Sequence, residues 1–121
     1  TEVEEHFFRC LFQITVFGLD FGRLEAVPVL FARVALAVKR AVLGCVGDGF
    51  SWEDVDVWLS RGSVVANVRI SRLKADGVDP LLRTLNSSGA LLENVVWYVM
   101  RIPGIRAVII GNAVATFVDA P

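Results

Sequence analysis

The hydrophobic residues of this chain change period along its length, and that switching constrains the fold more than any single motif. From Phe8 to Phe17 the period is two: Phe8, Cys10, Phe12, Ile14 and Val16 share one face, and Arg9, Leu11, Gln13, Thr15 and Phe17 the other. Successive strand side chains point to opposite faces, so this run of aromatic and β-branched residues predicts a half-buried strand. Gly18 to Arg23 carries turn residues. From Val27 to Leu43 the period becomes helical, with Pro28 in the first turn and Gly44 and Gly47 as the stop. Val27, Leu30, Phe31, Val34, Val38, Ala41, Val42 and Cys45 form one broad face, with Arg33, Ala37 and Arg40 opposite. Val29, Leu36 and Leu43 recur every seven residues beside that charged ridge, where a lone two-layer domain leaves them wet.

Period two returns after the Gly47-Asp48-Gly49 loop. Val55, Val57 and Leu59 point inward, with Asp56 and Trp58 outward. Ser60-Arg61-Gly62 is a tight turn, and Ser63–Ile70 is the next strand, with Val64, Ala66, Val68 and Ile70 inward and Val65, Asn67 and Arg69 outward. The two strands make a hairpin. Asp79-Pro80 reads as an N-cap followed by proline at the first helical position. The helix runs to Arg101 with a kink near Ser87-Ser88-Gly89, and Pro103-Gly104 ends it. Ala107–Val118 is the last strand, with a bulge or bend at Gly111-Asn112.

The order β-α-β-β-α-β is the split βαβ, ferredoxin-like plan of the α+β class. Right-handed crossovers put both helices on one face of a four-stranded antiparallel sheet of order 4-1-3-2. At 121 residues the chain reads as a single domain spanning 1–121. Cys10 falls early in the first strand and Cys45 at the end of the first helix, both on the core side. This placement permits a disulfide, worth about 3–4 kcal/mol, and equally permits two buried thiols.

Composition narrows the function. Hydrophobic residues make up 55% of the chain, above the usual share of about 45–50% for a globular domain. Mean hydropathy is +0.58. A membrane span needs roughly 20 uninterrupted apolar residues, and the best stretch, Ala26–Val46, is interrupted by Arg33, Lys39 and Arg40. The start Thr1-Glu2-Val3-Glu4-Glu5 lacks a signal peptide's basic and apolar regions, so an exported chain is read here in mature form. The excess apolar surface therefore points to a protein partner.

The topology, together with Ser60-Arg61-Gly62-Ser63-Val64-Val65, resembles the SEA domain family, in which a GSVVV turn between the second and third strands is a self-cleavage site. Gly62-Ser63-Val64-Val65-Ala66 matches four of those five positions, with Ala66 replacing the last valine. Val55–Ile70 and Ile102-Pro103-Gly104-Ile105 are similar to SEA-like modules in proteins of dinoflagellate algae. The resemblance implies an extracytoplasmic module, secreted or in an organelle lumen, and self-cleavage at Gly62-Ser63. There the Ser63 hydroxyl attacks the preceding carbonyl to form an ester that water opens. Glycine at 62 accepts unusual backbone angles, and Val64 and Val65 hold the strain. The plainer reading is that Gly-Ser opens a hairpin.

Other chemistries find no support. His6 is the one histidine, beside Glu2, Glu4 and Glu5, with no second histidine to complete a metal site. Asp48, Glu53, Asp54 and Asp56 lack the DxDxDG calcium spacing and read as a solvated loop. The βαββαβ order suggests an RNA-recognition module, but the third strand carries no aromatic residue and the pI is near 5.7, so nucleic acid is excluded. No phosphate loop, GxSxG elbow or HExxH is present, and neither a cofactor nor a metal is expected.

What remains is surface. Leu11, Phe17, Trp58 and Val65 are expected on the sheet face away from the helices, and Val29, Leu36 and Leu43 on the outer side of the first helix. Trp52, Trp97 and Tyr98 add aromatics of the kind enriched at interfaces. The expectation is a non-enzymatic interaction module, a subunit of a larger assembly that binds protein partners or itself. The alternatives are the self-cleaving SEA-type module and an accessory subunit of a membrane complex, such as a photosynthetic one, lying against transmembrane neighbours.

Overall fold

The computed structural model describes residues 7–47 and 49–119. His6, the acidic start at Glu2, Glu4 and Glu5, and Asp48 lie outside the described residues. The elements run β1 (Phe8–Leu19), α1 (Phe21–Glu25), α2 (Pro28–Val46), β2 (Val55–Ser60), β3 (Val64–Leu73), α3 (Val78–Ser87), α4 (Gly89–Met100) and β4 (Ile109–Asp119). The strands form one antiparallel sheet in the order β2-β3-β1-β4, the expected order read from its other edge.

Each crossover carries two helices where the hydrophobic period predicted one. The Gly18–Arg23 turn contains the end of β1 and the start of α1, because the Asp20 carboxylate accepts the Arg23 N–H at 3.0 Å and nucleates a short helix. In the second crossover the expected kink is a full break. Ser88 is extended (φ −87°, ψ 98°), and its hydroxyl accepts the Leu91 N–H at 3.2 Å, capping a new helix. Asp79 does not cap: α3 starts at Val78 out of the turn Ala75–Gly77, leaving Asp79 and Pro80 inside the first turn. Proline is tolerated there because first-turn N–H groups have no helical acceptor. Similarly, β4 starts at Ile109, two residues later than expected, because Ile105–Val108 forms a 3₁₀ turn.

Alternation in the strands supplies the core. Cys10, Phe12, Ile14 and Val16 of β1 and Val64, Ala66, Val68 and Ile70 of β3 are all buried. They pack with Leu30, Val34, Val38, Ala41 and Val42 of α2 and Leu91, Val95 and Val99 of α4 in a single cluster. Phe12 stacks on Phe117 of β4 with ring centroids 5.0 Å apart. Each such aliphatic side chain stabilises the fold by about 1.5–3 kcal/mol on burial. Ala37, expected opposite the core, is buried as well. The reason is that α4 packs beside α2 and widens its covered face.

Two irregularities shape the sheet. Phe17 pairs with Val114 and Leu19 with Ile109, so residues 110–113 of β4 bulge opposite the single residue Gly18. Gly18 has φ +90°, and a Cβ there would lie 2.4 Å from the Asn112 carbonyl oxygen. Only glycine fits both conditions. At the other end, Phe8 pairs with Leu73 and Cys10 with Ile70, a bulge that puts Arg72 in the left-handed region at φ 65°. The Arg72 guanidinium Nη1 then lies 3.9 Å from Asp54 Oδ1. Asp54 is buried, not part of a solvated loop. Its Oδ2 accepts the Ser51 N–H at 2.8 Å and the Ser51 hydroxyl at 3.2 Å, closing the turn Trp52–Asp54.

Candidate functional site

Among the described residues no segment covers the sheet face opposite the helices, and strand register sets its pattern. One row across it runs Trp58, Asn67, Gln13, Val118; the next runs Ser60, Val65, Thr15, Thr116; Asp56, Arg69 and Leu11 form a third. Phe17 lies opposite Val114. The centre of the face is polar and internally satisfied. Gln13 Nε2 donates to Asn67 Oδ1 at 2.9 Å, and Asn67 Nδ2 donates to the Trp58 carbonyl at 3.2 Å and the Ser60 hydroxyl at 3.0 Å. Arg69 donates to Asp56 Oδ2 through Nε at 3.2 Å and Nη2 at 2.7 Å, and its guanidinium lies 5.9 Å from the Trp58 ring.

Apolar side chains surround this polar centre. Leu11, Phe17 and Trp58 are exposed as expected, while Val65 is half-buried between its strand neighbours. Val114, Val118 and Ile110 of β4 extend the apolar rim, and Ile110 is 62% exposed. These three keep one parity with the exposed Thr116, so period two reaches across the bulge; the bend expected at Gly111-Asn112 leaves the faces of β4 unassigned in the sequence alone.

On the helix side, Val29 is 59% exposed and Leu36 43%, whereas Leu43 is half-buried against the core. The seven-residue repeat is therefore not a continuous wet stripe. Its C-terminal member is covered where α2 approaches the rest of the fold. Trp52 is exposed with the Lys39 ammonium 4.2 Å from its ring centroid.

A groove of about 420 Å³ runs between α2 and α4. Arg33, Leu36, Ala37 and Arg40 form its α2 side. Trp97, Tyr98 and Arg101 form the other, with Ile102 and Pro103 at the end. The Arg101 guanidinium lies 3.7 Å from the Trp97 ring centroid and donates to the Trp97 carbonyl at 3.3 Å. Trp97 meets Tyr98 edge-on at 5.0 Å. Helical spacing contains this convergence: Arg33 and Arg40 are two turns apart, and Trp97 and Arg101 one turn apart. That the two pairs face one groove depends on how α2 packs on α4.

At the β2–β3 hairpin, Gly62 has φ +135° and Ser63, half-buried, precedes the first residue of β3. Cys10 is buried in the core, and Cys45 is half-buried with its thiol 3.6 Å from the Ser88 hydroxyl. No disulfide joins the two cysteines in this structure. Among the described residues no group of three or more His, Cys, Asp or Glu side chains converges on a metal site, and no helix is long and apolar enough to cross a membrane. Comparison with family models, with curated proteins and with solved structures gives no match.

Proposed function

We propose that this chain is a non-enzymatic, ferredoxin-like interaction module, a subunit that joins a larger assembly through its outer sheet face and the exposed side of α2. The observation that carries the reading is the open sheet face, where Leu11, Phe17, Val114 and Val118 stand exposed on the adjoining strands β1 and β4, with Trp58 across β3 on β2. Apolar residues grouped in this way on a small domain mark contact surfaces, whereas scattered ones do not. The ferredoxin-like reading is supported by the strand order and by α2 and α4 packing on the sheet side that holds the core. Sedimentation of the chain tests the module. Concentration-dependent association that Leu11→Glu or Leu36→Glu abolishes is the expected result. A monomer at all concentrations, with neither substitution changing solubility or association, removes the basis for the reading.

A second reading is favoured by one observation, the positive φ of Gly62 immediately before Ser63. In it the chain is a self-cleaving, extracytoplasmic SEA-type module whose only chemistry is on itself. The Ser63 hydroxyl oxygen attacks the Gly62 carbonyl carbon, the amide nitrogen leaves as a free amine, and water hydrolyses the resulting ester. Mass spectrometry of the denatured chain decides it. Two fragments parted between Gly62 and Ser63, and restored to one mass by Ser63→Ala, support it; a single intact mass excludes it.

A further inference from the structure

Four of the ten arginines of this chain lie beside a carboxylate. Arg23 lies 3.9 Å from Asp20, Arg61 3.5 Å from Glu25, Arg69 2.7 Å from Asp56 and Arg72 3.9 Å from Asp54. The α2/α4 groove gathers three of the other six. Arg33, Arg40 and Arg101 all line it, no aspartate or glutamate does, and none of the three forms an ion pair among the described residues. Three like charges around one depression repel each other in a chain whose net charge is −1. The arrangement is complementary to negative charge supplied from outside.

The groove is also more than a charged patch. Leu36, Ala37 and Ile102 give it an apolar floor, and Trp97 holds the Arg101 guanidinium against its ring. A guanidinium stacked in this way loses little further freedom when its remaining N–H groups meet a carboxylate fork. Arg33 and Arg40 stand about 10 Å apart along α2, two helical turns, and flank Leu36. A chain bearing several carboxylates can engage both and lay an apolar side chain over Leu36 between them. Tryptophan, tyrosine and arginine are also the residue types that carry most of the energy in protein–protein contacts.

We infer that the groove between α2 and α4 docks an acidic segment of a partner protein, its carboxylates on Arg33, Arg40 and Arg101 and an apolar side chain over Leu36 and Trp97. This deepens the interaction-module reading and rests on it, but uses a surface separate from the sheet face.

The test titrates the isotopically labelled 121-residue chain with a synthetic Glu-Glu-Leu repeat peptide and with its Gln-Gln-Leu counterpart, followed by NMR. The glutamate peptide should shift the Trp97 indole and the arginine side-chain signals of the groove while leaving Trp58 on the sheet unmoved. Its binding should weaken as salt rises and fall about tenfold or more in the Arg33→Ala/Arg40→Ala double variant. Arg101→Lys keeps the charge and loses the planar stack, so it should weaken binding while the spectrum of the folded chain is retained. Four outcomes overturn the inference: no binding, equal binding of the glutamine peptide, shifts centred on Trp58, or full displacement by inorganic phosphate with matching shifts. Leu11→Glu, which breaks sheet-face association, should leave peptide binding intact, so failure of one surface is distinguishable from failure of the other.

Discussion

The outer sheet face and the α2/α4 groove are both open to solvent, but they handle polar groups in opposite ways. On the sheet, Gln13, Asn67, Ser60, Asp56 and Arg69 satisfy one another across three strands. The face is complete in its polar interactions and offers only its apolar rim. In the groove, Arg33, Arg40 and Arg101 line the same space and form no ion pair among the described residues. Strand register explains the first: residues brought opposite one another every two positions can pair across the sheet. Helix packing explains the second, since α2 presents Arg33 and Arg40, and the C-cap of α4 presents Arg101, to a shared hollow that neither lines with an acid. The sheet face should therefore contribute to the stability of the isolated chain, and the groove should not.

Gly18→Ala attacks the sheet most directly. It forces a Cβ into the Asn112 carbonyl at a positive φ, and we expect a loss of about 3 kcal/mol or more by chemical denaturation. If the loss is under about 1 kcal/mol, the β4 bulge yields easily and the close approach of Gly18 to Asn112 does not fix it. Asn67→Ala removes the hub of the polar row and leaves Gln13 without its acceptor. A loss of about 1–2 kcal/mol, smaller in Gln13→Ala/Asn67→Ala than the sum of the single changes, would establish the coupling.

Arg69→Ala is expected to cost about 0.5 kcal/mol, and less at high salt, because the Asp56 pair is partly exposed and screened. The groove supplies the contrast. Arg33→Ala and Arg40→Ala should change stability by no more than about 0.5 kcal/mol, with a slight gain from relieved repulsion. A loss above 1 kcal/mol in thermal or denaturant unfolding would mean that these arginines serve the fold, and the contrast between the two surfaces would collapse.

How much of this was legible beforehand differs by element. Residues 10–16 and 64–70 are a clear case: an inward residue at every second position leaves only one pleated face that can be buried, so β1 and β3 follow directly. Phe8, placed on the same face by its period, is instead exposed beyond the bulge before Cys10. Pro28 and Gly47 likewise bound α2, as N1 and C-cap. The split into α3 and α4 was harder to read, since Ser87-Ser88-Gly89 marks a weak point, while the cap that completes the break is a hydrogen bond from Leu91 that exists only in the folded geometry. Asp54 reads as one more surface acid. Ser51-Trp52-Glu53-Asp54 nevertheless has the spacing of a capping box, and the Asp54 carboxylate is held by the Ser51 N–H and hydroxyl, with Arg72 of β3 at 3.9 Å. Leu43 follows the same seven-residue period as Val29 and Leu36, and only packing separates it from them.

By itself, then, the sequence determined the number and order of strands, the core-facing residues of β1 and β3, and the excess of apolar side chains that points to a partner. These depend on periodicity and on turn residues, which act over a few positions. Tertiary structure decided where the excess lies and what surrounds it: the polar centre of the open sheet, the burial that separates Leu43 from Val29 and Leu36, and the meeting of Arg33, Arg40 and Arg101. Each of those depends on side chains distant in the chain arriving together, and register and helix packing set that arrival rather than local preference.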